Sequence, residues 1–104
     1  MKTTLEKADD HLLITLDGRL DTVQSDGFQT KIEEVLAQNH QKIVIDCSGL
    51  SYISSSGLRI LLTIQKRMIK SKGQLILCSL QPAIREVFDM SGFSTIFTIK
   101  DDCG

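Results

Sequence analysis

Three consecutive serines, Ser54, Ser55 and Ser56, stand between a β-branched apolar run and a long amphipathic segment. A serine hydroxyl at the start of a helix can accept a hydrogen bond from a free backbone N–H. The same hydroxyl can also carry a phosphate. One cap explains one serine and leaves the other two without a role. The stretch therefore predicts either an ordinary capped helix or a phosphorylation site, and the residues alone leave both interpretations open.

Arg59 lies four residues after Ser55, on the same face of the predicted helix. A cation near the positive end of the helix dipole costs an unmodified helix roughly a few tenths of a kcal/mol. A phosphate on Ser55 would instead bring about −1.5 to −2 charges to the free N–H donors and to Arg59. A partner that fits the neutral surface would then meet an unpaired charge, so we expect that complex to be lost.

Apolar periodicity divides the chain into strands and helices. Ser25 or Thr22 is expected to cap the first helix. The β-branched run in Lys42-Ile-Val-Ile-Asp46 indicates a strand that is covered on both faces of the sheet. The order β-β-α-β-α-β-α-β predicts an α/β domain with a mixed, mostly parallel sheet of about five strands and three main helices packed on it. The predicted strands are 3–7, 11–17, 42–46, 74–78 and 95–99, and the predicted helices are 25–38, 55–72 and 82–91.

The composition indicates one domain, predicted over 1–104, with 12 basic and 13 acidic side chains. Near-neutral charge argues against nucleic-acid binding. No apolar run approaches the roughly 18 residues of a membrane span, and no signal peptide is recognised, so direct membrane insertion is not expected. Cys47, Cys78 and Cys103 cannot all pair within one chain. Since no secretory signal is recognised, reduced thiols in a cytoplasm are expected.

The residue patterns of familiar catalytic and metal sites are missing from the sequence. His11 and His40 are far apart, and neither has a second ligand at metal-binding spacing. No glycine-rich phosphate loop is present, and Ile53 stands where a nucleophile elbow around Ser55 would need glycine. We therefore predict a protein that is not an enzyme, with no catalytic residues, no metal and no cofactor.

The predicted second helix has a wide apolar face. Its main stripe consists of Leu58, Leu61, Leu62, Met68 and Ile69. Two further isoleucines, Ile60 and Ile64, widen the stripe on one flank. Neighbouring elements can cover these two isoleucines. Alternatively, the isoleucines form an exposed strip for protein docking beside the serines.

Four short motifs, in this order, resemble the STAS domain, in particular the bacterial anti-sigma factor antagonists. Each motif is weak alone, but their order on the predicted β/α pattern is specific, and the resemblance covers nearly the whole chain. The motifs are Gly18-Arg-Leu-Asp21, Ile43-Val-Ile-Asp46, Leu50-Ser-Tyr-Ile53 with Ser54-Ser-Ser-Gly-Leu58, and Phe88-Asp-Met-Ser-Gly-Phe93.

The resemblance implies a partner-switching role. The unphosphorylated antagonist would bind an anti-sigma factor, usually a GHKL-type serine kinase, and so release a sigma factor. The kinase would phosphorylate the antagonist and end the complex, and a serine phosphatase would reset it. The family motif implies Ser55 as the acceptor, ahead of Ser56 and Ser54, and Ser54 replaces the family's acidic residue. The implied partner-binding residues are Asp21, Ser54, Ser55, Ser56, Gly57, Arg59 and Ile60.

Two other functions stay open. One is a STAS interaction subunit of a membrane lipid or anion transporter that works without phosphorylation, which the wide apolar helix face suggests. The other is a nucleotide-binding protein, which a helix N-terminus as an anion site suggests.

Overall fold

A five-stranded sheet organises the described part of the chain, and its strands lie in the order in which they follow along the sequence. The computed structural model describes residues 1–103, so Gly104, the last residue of the predicted domain, lies outside the described residues. The elements are β1 (Lys2–Lys7), β2 (Leu12–Leu20), α1 (Thr22–Ala37), β3 (Lys42–Ile53), α2 (Ser55–Lys70), β4 (Gln74–Cys78), α3 (Pro82–Ser91), a 3₁₀ turn (Phe93–Thr95) and β5 (Thr98–Lys100).

The predicted fold class is confirmed. β1 pairs antiparallel with β2, whereas β2, β3, β4 and β5 pair in parallel. The last strand was predicted over 95–99, but it begins only at Thr98. Gly92 adopts a left-handed conformation with φ of 81°, which ends α3 and allows the chain to enter the 3₁₀ turn first.

The three helices share one face of the sheet. Each connects two parallel strands that advance in the same direction across the sheet, and such crossovers are right-handed in nearly all proteins. Successive crossovers of one hand place their helices on the same side. The buried apolar side chains of all three helices accordingly belong to one large core cluster, whereas Val44, Ile76 and Cys78 form a separate small cluster.

β3 is the central strand and is longer than the predicted 42–46. Its apolar run is buried on both faces, as predicted, and the strand then continues to Ile53 because β2 pairs with it as far as Leu20. The register shifts twice, between Thr15 and Asp17 and between Gly18 and Arg19, and the pairing resumes after each shift. The two strands therefore end side by side.

Most of the wide apolar face of α2 lies in the core, although Ile69 on its main stripe is 64% exposed. Ile60 is 7% exposed and Ile64 is fully buried, so the prediction of an exposed docking strip at these residues is wrong and the prediction of cover by neighbouring elements is confirmed. The physical reason is that α1 packs directly against α2 on the sheet. Among residues 1–103, no helix is both long and apolar enough to cross a membrane.

The prediction of three reduced thiols is wrong for one pair. The sulfur atoms of Cys78 and Cys103 are bonded. β5 pairs in parallel beside β4, with Lys100 opposite Cys78, and the chain then returns toward that cysteine. Cys47 is free and buried, and burial raises the pKa of its thiol to about 12.

Gly57 allows the first turn of α2 to pack closely on the end of β2. A Cβ atom at this position would lie 2.8 Å from Leu20 Cγ and 3.1 Å from Ile53 Cγ1. Both neighbours are buried core side chains, so they have little room to move aside. The glycine thus determines how near the serine turn lies to the sheet.

We expect Gly57→Ala to lower the free energy of unfolding by about 1–3 kcal/mol, since it overpacks the core at Leu20. Gly27→Ala is the matched control, because Gly27 lies within α1 and a Cβ there would meet nothing within 4 Å. That control should gain roughly 0.5–1 kcal/mol from helix propensity. Chemical denaturation of both variants measures the difference, and equal effects would contradict the close approach.

Candidate functional site

The ends of β2 and β3 place two helix N-termini next to each other. Leu20 and Ile53 are partners at the end of the parallel ladder, and the Ser54 N–H donates to the Leu20 carbonyl at 2.9 Å. α1 begins directly after β2, and α2 begins directly after β3. The first turns of both helices, with their free N–H groups, therefore lie at one edge of the sheet.

Asp21 caps α1, which corrects the prediction that Ser25 or Thr22 would do so. The Asp21 carboxylate accepts from the Gln24 N–H at 2.9 Å, and Thr22 is already the first helical residue. The Ser25 hydroxyl instead donates to the Asp21 carbonyl oxygen at 2.7 Å. A carboxylate at the N-cap suits both the free donors and the helix dipole.

Ser54 caps α2, as one of the three serines was predicted to do. Its backbone is extended, and its hydroxyl oxygen accepts from the Gly57 N–H at 3.2 Å. The residue is only 7% exposed. Ser54 thus has a structural role that serine fills well.

Ser56 belongs to a chain of hydroxyls that joins the two helices. Its oxygen lies 3.1 Å from Ser25 Oγ and 3.0 Å from Ser54 Oγ. The Ser25 proton is used on the Asp21 carbonyl, so Ser56 must donate to Ser25. Ser54 must then donate to Ser56 while it accepts from Gly57. Each of these three hydroxyl protons has one acceptor, so the donor and the acceptor of each hydrogen bond are determined.

Ser55 differs from its two neighbours. Its side chain is exposed, and within residues 1–103 its hydroxyl makes no hydrogen bond. Arg59, one turn later, is also exposed and forms no ion pair in the described part of the chain. The turn thus presents one free hydroxyl and one free guanidinium beside two serine hydroxyls that are hydrogen-bonded.

A groove of about 280 Å³ runs between α1 and α2 beside the serine turn. Asp26 and Glu33 line its α1 side, and Ser56 and Arg59 line its α2 side. Val23, in the first turn of α1, is 82% exposed. The first turns of the two helices and the groove between them therefore present acidic, basic and apolar groups, which is typical of a protein-contact surface.

The structure brings most of the predicted site residues together at this edge. Asp21 reaches the serine turn through Ser25, and Arg59 lies on the exposed side of α2. Gly57 and Ile60 are buried, so their contribution to any contact is through the backbone and the packing beneath it. Sequence reasoning missed Ser25 as a link to α2, because its partner is 31 residues away and leaves no local signal.

The fold and this turn define a STAS-type α/β domain with a serine-centred surface. The sequence profile of the STAS domain family matches residues 2–104, and the chain belongs to that family. A Bordetella bronchiseptica protein, BtrV, is named as a candidate anti-sigma factor antagonist and is 35% identical over 101 residues, which cover 97% of this chain and 87% of BtrV.

Solved structures agree with this assignment. The Bacillus cell fate determinant SpoIIAA in its phosphorylated form has a TM-score of 0.77 and 26% identity, over 99% of this chain and 92% of that protein. A Thermotoga maritima protein has a TM-score of 0.90 at 21% identity, over 95% of this chain and 86% of its own. At that identity the second likeness concerns the fold alone.

We expect Ser54→Ala to lower the free energy of unfolding by about 0.5–2 kcal/mol, since it removes the cap of α2. Ser55→Ala is the matched control at the next position and should change stability by less than about 0.5 kcal/mol, because its exposed hydroxyl has no partner to lose. Thermal or urea unfolding of the two variants checks the assignment. A larger loss for Ser55→Ala would mean that the roles of the two serines are reversed.

Proposed function

We propose that this protein is an anti-sigma factor antagonist of a partner-switching pathway, and that Ser55 is its phosphorylation site. The observation that carries the proposal is the division among the three serines. Ser54 is buried in a cap and Ser56 is bonded at both ends, whereas Ser55 is exposed and its hydroxyl is free. A kinase needs an accessible hydroxyl, and Ser55 offers one on a turn that the neighbouring serines hold in place.

The helix start is suited to hold the product of that reaction. Transfer of the γ-phosphoryl group of ATP to Ser55 Oγ breaks its bond to ADP, which leaves, and releases the hydroxyl proton. The product carries a group of about −1.5 to −2 charge on Ser55. The positive end of the α2 dipole and the free Arg59 guanidinium both favour this charge. We infer that the fold stays intact after phosphorylation and that only the surface changes sign.

Phosphorylation would end partner binding because the contact would remove the phosphate on Ser55 from water. The unphosphorylated partner complex would cover Ser55 together with Asp21, Arg59 and the exposed Val23. A phosphate enclosed in that contact without a cation from the partner would cost several kcal/mol, on the order of what breaking a buried charge pair costs. The proposed partner is an anti-sigma factor with serine kinase activity, and a serine phosphatase restores the form that binds it. In this proposal the protein itself is not an enzyme, and it acts in the cytoplasm.

The named relatives support this proposal. BtrV is named as a candidate anti-sigma factor antagonist, and the similar structure of SpoIIAA is that of its phosphorylated form. The alternative of a transporter subunit was suggested by the wide apolar face of α2. Ile60 and Ile64 on that face are buried rather than exposed, so they do not support this alternative. Nucleotide binding stays a prediction without a supporting contact.

The proposal predicts that a cognate GHKL-type kinase with ATP will place phosphate on Ser55. The full chain is phosphorylated and then digested, and fragmentation of the peptide by mass spectrometry should find the phosphate on Ser55 and not on Ser54 or Ser56. Ser55→Ala should keep binding to the kinase, and Ser55→Asp should weaken it at least about tenfold, roughly 1.4 kcal/mol.

Ser71→Asp is the control for added charge, since Ser71 is exposed at the opposite end of α2. Its binding should stay within about twofold of the unmodified protein, which is well under 1 kcal/mol. Phosphate on Ser54 or Ser56 with Ser55 unmodified, or equal affinities for the two aspartate variants, would refute the assignment to Ser55. Titration calorimetry measures each affinity.

A further inference from the structure

The sheet face opposite the helices carries a small buried cluster. Val44, Ile76 and Cys78 are buried there, and the partly buried Leu13 packs against them. The helices all contribute their apolar side chains to the larger cluster on the other face. In the described chain, therefore, no helix explains the burial of these residues.

The C-terminal segment, residues 100–103, covers this cluster. A cavity of about 210 Å³ lies between the segment and the sheet, and its walls include Val44 and Ile76 on one side and Asp101, Asp102 and Cys103 on the other. The segment is held at its start by the Ser79 N–H, which donates to the Lys100 carbonyl at 3.1 Å. Its second attachment is the bond between Cys103 and Cys78.

The two bonded cysteines differ in access. Cys103 is exposed, whereas Cys78 is fully buried beneath the segment. The third thiol, Cys47, is buried and separate, and its raised pKa of about 12 keeps it protonated and unreactive. An exposed thiol beside a buried partner is a suitable arrangement for an attacking and a resolving cysteine.

We propose that Cys78 and Cys103 form a reversible thiol–disulfide site that fastens the C-terminal segment over the open face of the sheet. The oxidant is a low-molecular-weight disulfide such as oxidised glutathione. The Cys103 thiolate attacks it, forms a mixed disulfide and releases one glutathione thiolate. The Cys78 thiolate then attacks Cys103 Sγ and releases the second glutathione. The protein dithiol loses two electrons and two protons, and one glutathione disulfide becomes two thiols.

Reduction has a structural consequence. Without the disulfide, residues 101–103 keep the attachment at Lys100 and a weak contact of 3.6 Å between Cys103 Sγ and Ser79 Oγ, and the cost of ordering about three residues is no longer offset by a covalent link. The segment then leaves Val44 and Ile76, and an apolar patch opens on the face away from Ser55 and its helices. The site is independent of the proposed phosphorylation.

A titration of the full chain in glutathione buffers tests the site. The protein is equilibrated across ratios of reduced to oxidised glutathione with a chelator present, quenched with acid, and alkylated in denaturant. Intact mass should show all three cysteines alkylated under reducing conditions and only Cys47 alkylated under oxidising conditions. Methyl resonances of Val44 and Ile76 should shift between the two states.

Cys103→Ser is the control, because Cys103 is exposed and its replacement leaves the core unchanged. Its Val44 and Ile76 resonances should match those of the reduced protein in every buffer. A pair that stays reduced in glutathione disulfide alone would overturn the proposal, as would oxidation without a change in these resonances.

A metal site is the remaining competing outcome. The ligand atoms of Asp46, Cys78 and Cys103 lie within 4.8 Å of one another, and two thiolates with a carboxylate suit Zn²⁺. The reduced protein is therefore also titrated with Zn²⁺ without chelator. If stoichiometric Zn²⁺ binds and prevents oxidation, the cluster is a metal site and the redox assignment is wrong. If oxidation proceeds unchanged, the thiol–disulfide assignment stands.

Discussion

The parallel pairing of β2 with β3, which runs from Leu12 and Ile43 to Leu20 and Ile53, is the constraint on which the serine surface depends. Because the ladder runs to Leu20 and Ile53, the chain leaves both strands at the same edge and starts α1 and α2 side by side. A ladder that ended at Asp46 would leave seven residues of loop before Ser54. A loop of that length could not hold the serines at one position, since each unbonded residue keeps its conformational freedom.

Hydrogen bonding then gives different roles to the three serines Ser54, Ser55 and Ser56. The Ser54 hydroxyl accepts a hydrogen bond from a helix N–H, and the Ser56 hydroxyl donates one to Ser25 on the other helix. These bonds are partly buried, where a lost partner is costly, and they make the turn rigid. The same bonds leave the hydroxyl of Ser55 free. A rigid support with one exposed hydroxyl is what a surface switch requires, since the modification then changes charge without changing the fold.

The regular advance of the strands has a second consequence, on the opposite face. Crossovers of one hand put all three helices on one side, so the other side of a central β-branched strand needs a different cover. In this chain the C-terminal segment and its bond to Cys78 supply that cover. The serine surface and the cysteine pair thus belong to opposite faces of one sheet, and a change at one does not require a change at the other.

The sequence by itself determined the alternation of strands and helices, the central strand, and the cap of α2 at one of the serines. These features depend on periodicity and on hydrogen bonds between residues a few positions apart, which a single chain displays directly. Even local features were assigned imperfectly, because Asp21 rather than Ser25 or Thr22 caps α1.

Only the tertiary structure decided which serine is free, whether Ile60 and Ile64 are covered, and which cysteines meet. Ser25 and Ser56 are 31 residues apart, and Cys78 and Cys103 are 25 apart. Whether such groups touch depends on strand register, helix packing and the path of the chain after β5. Those are properties of the assembled sheet, and no local pattern of residues records them.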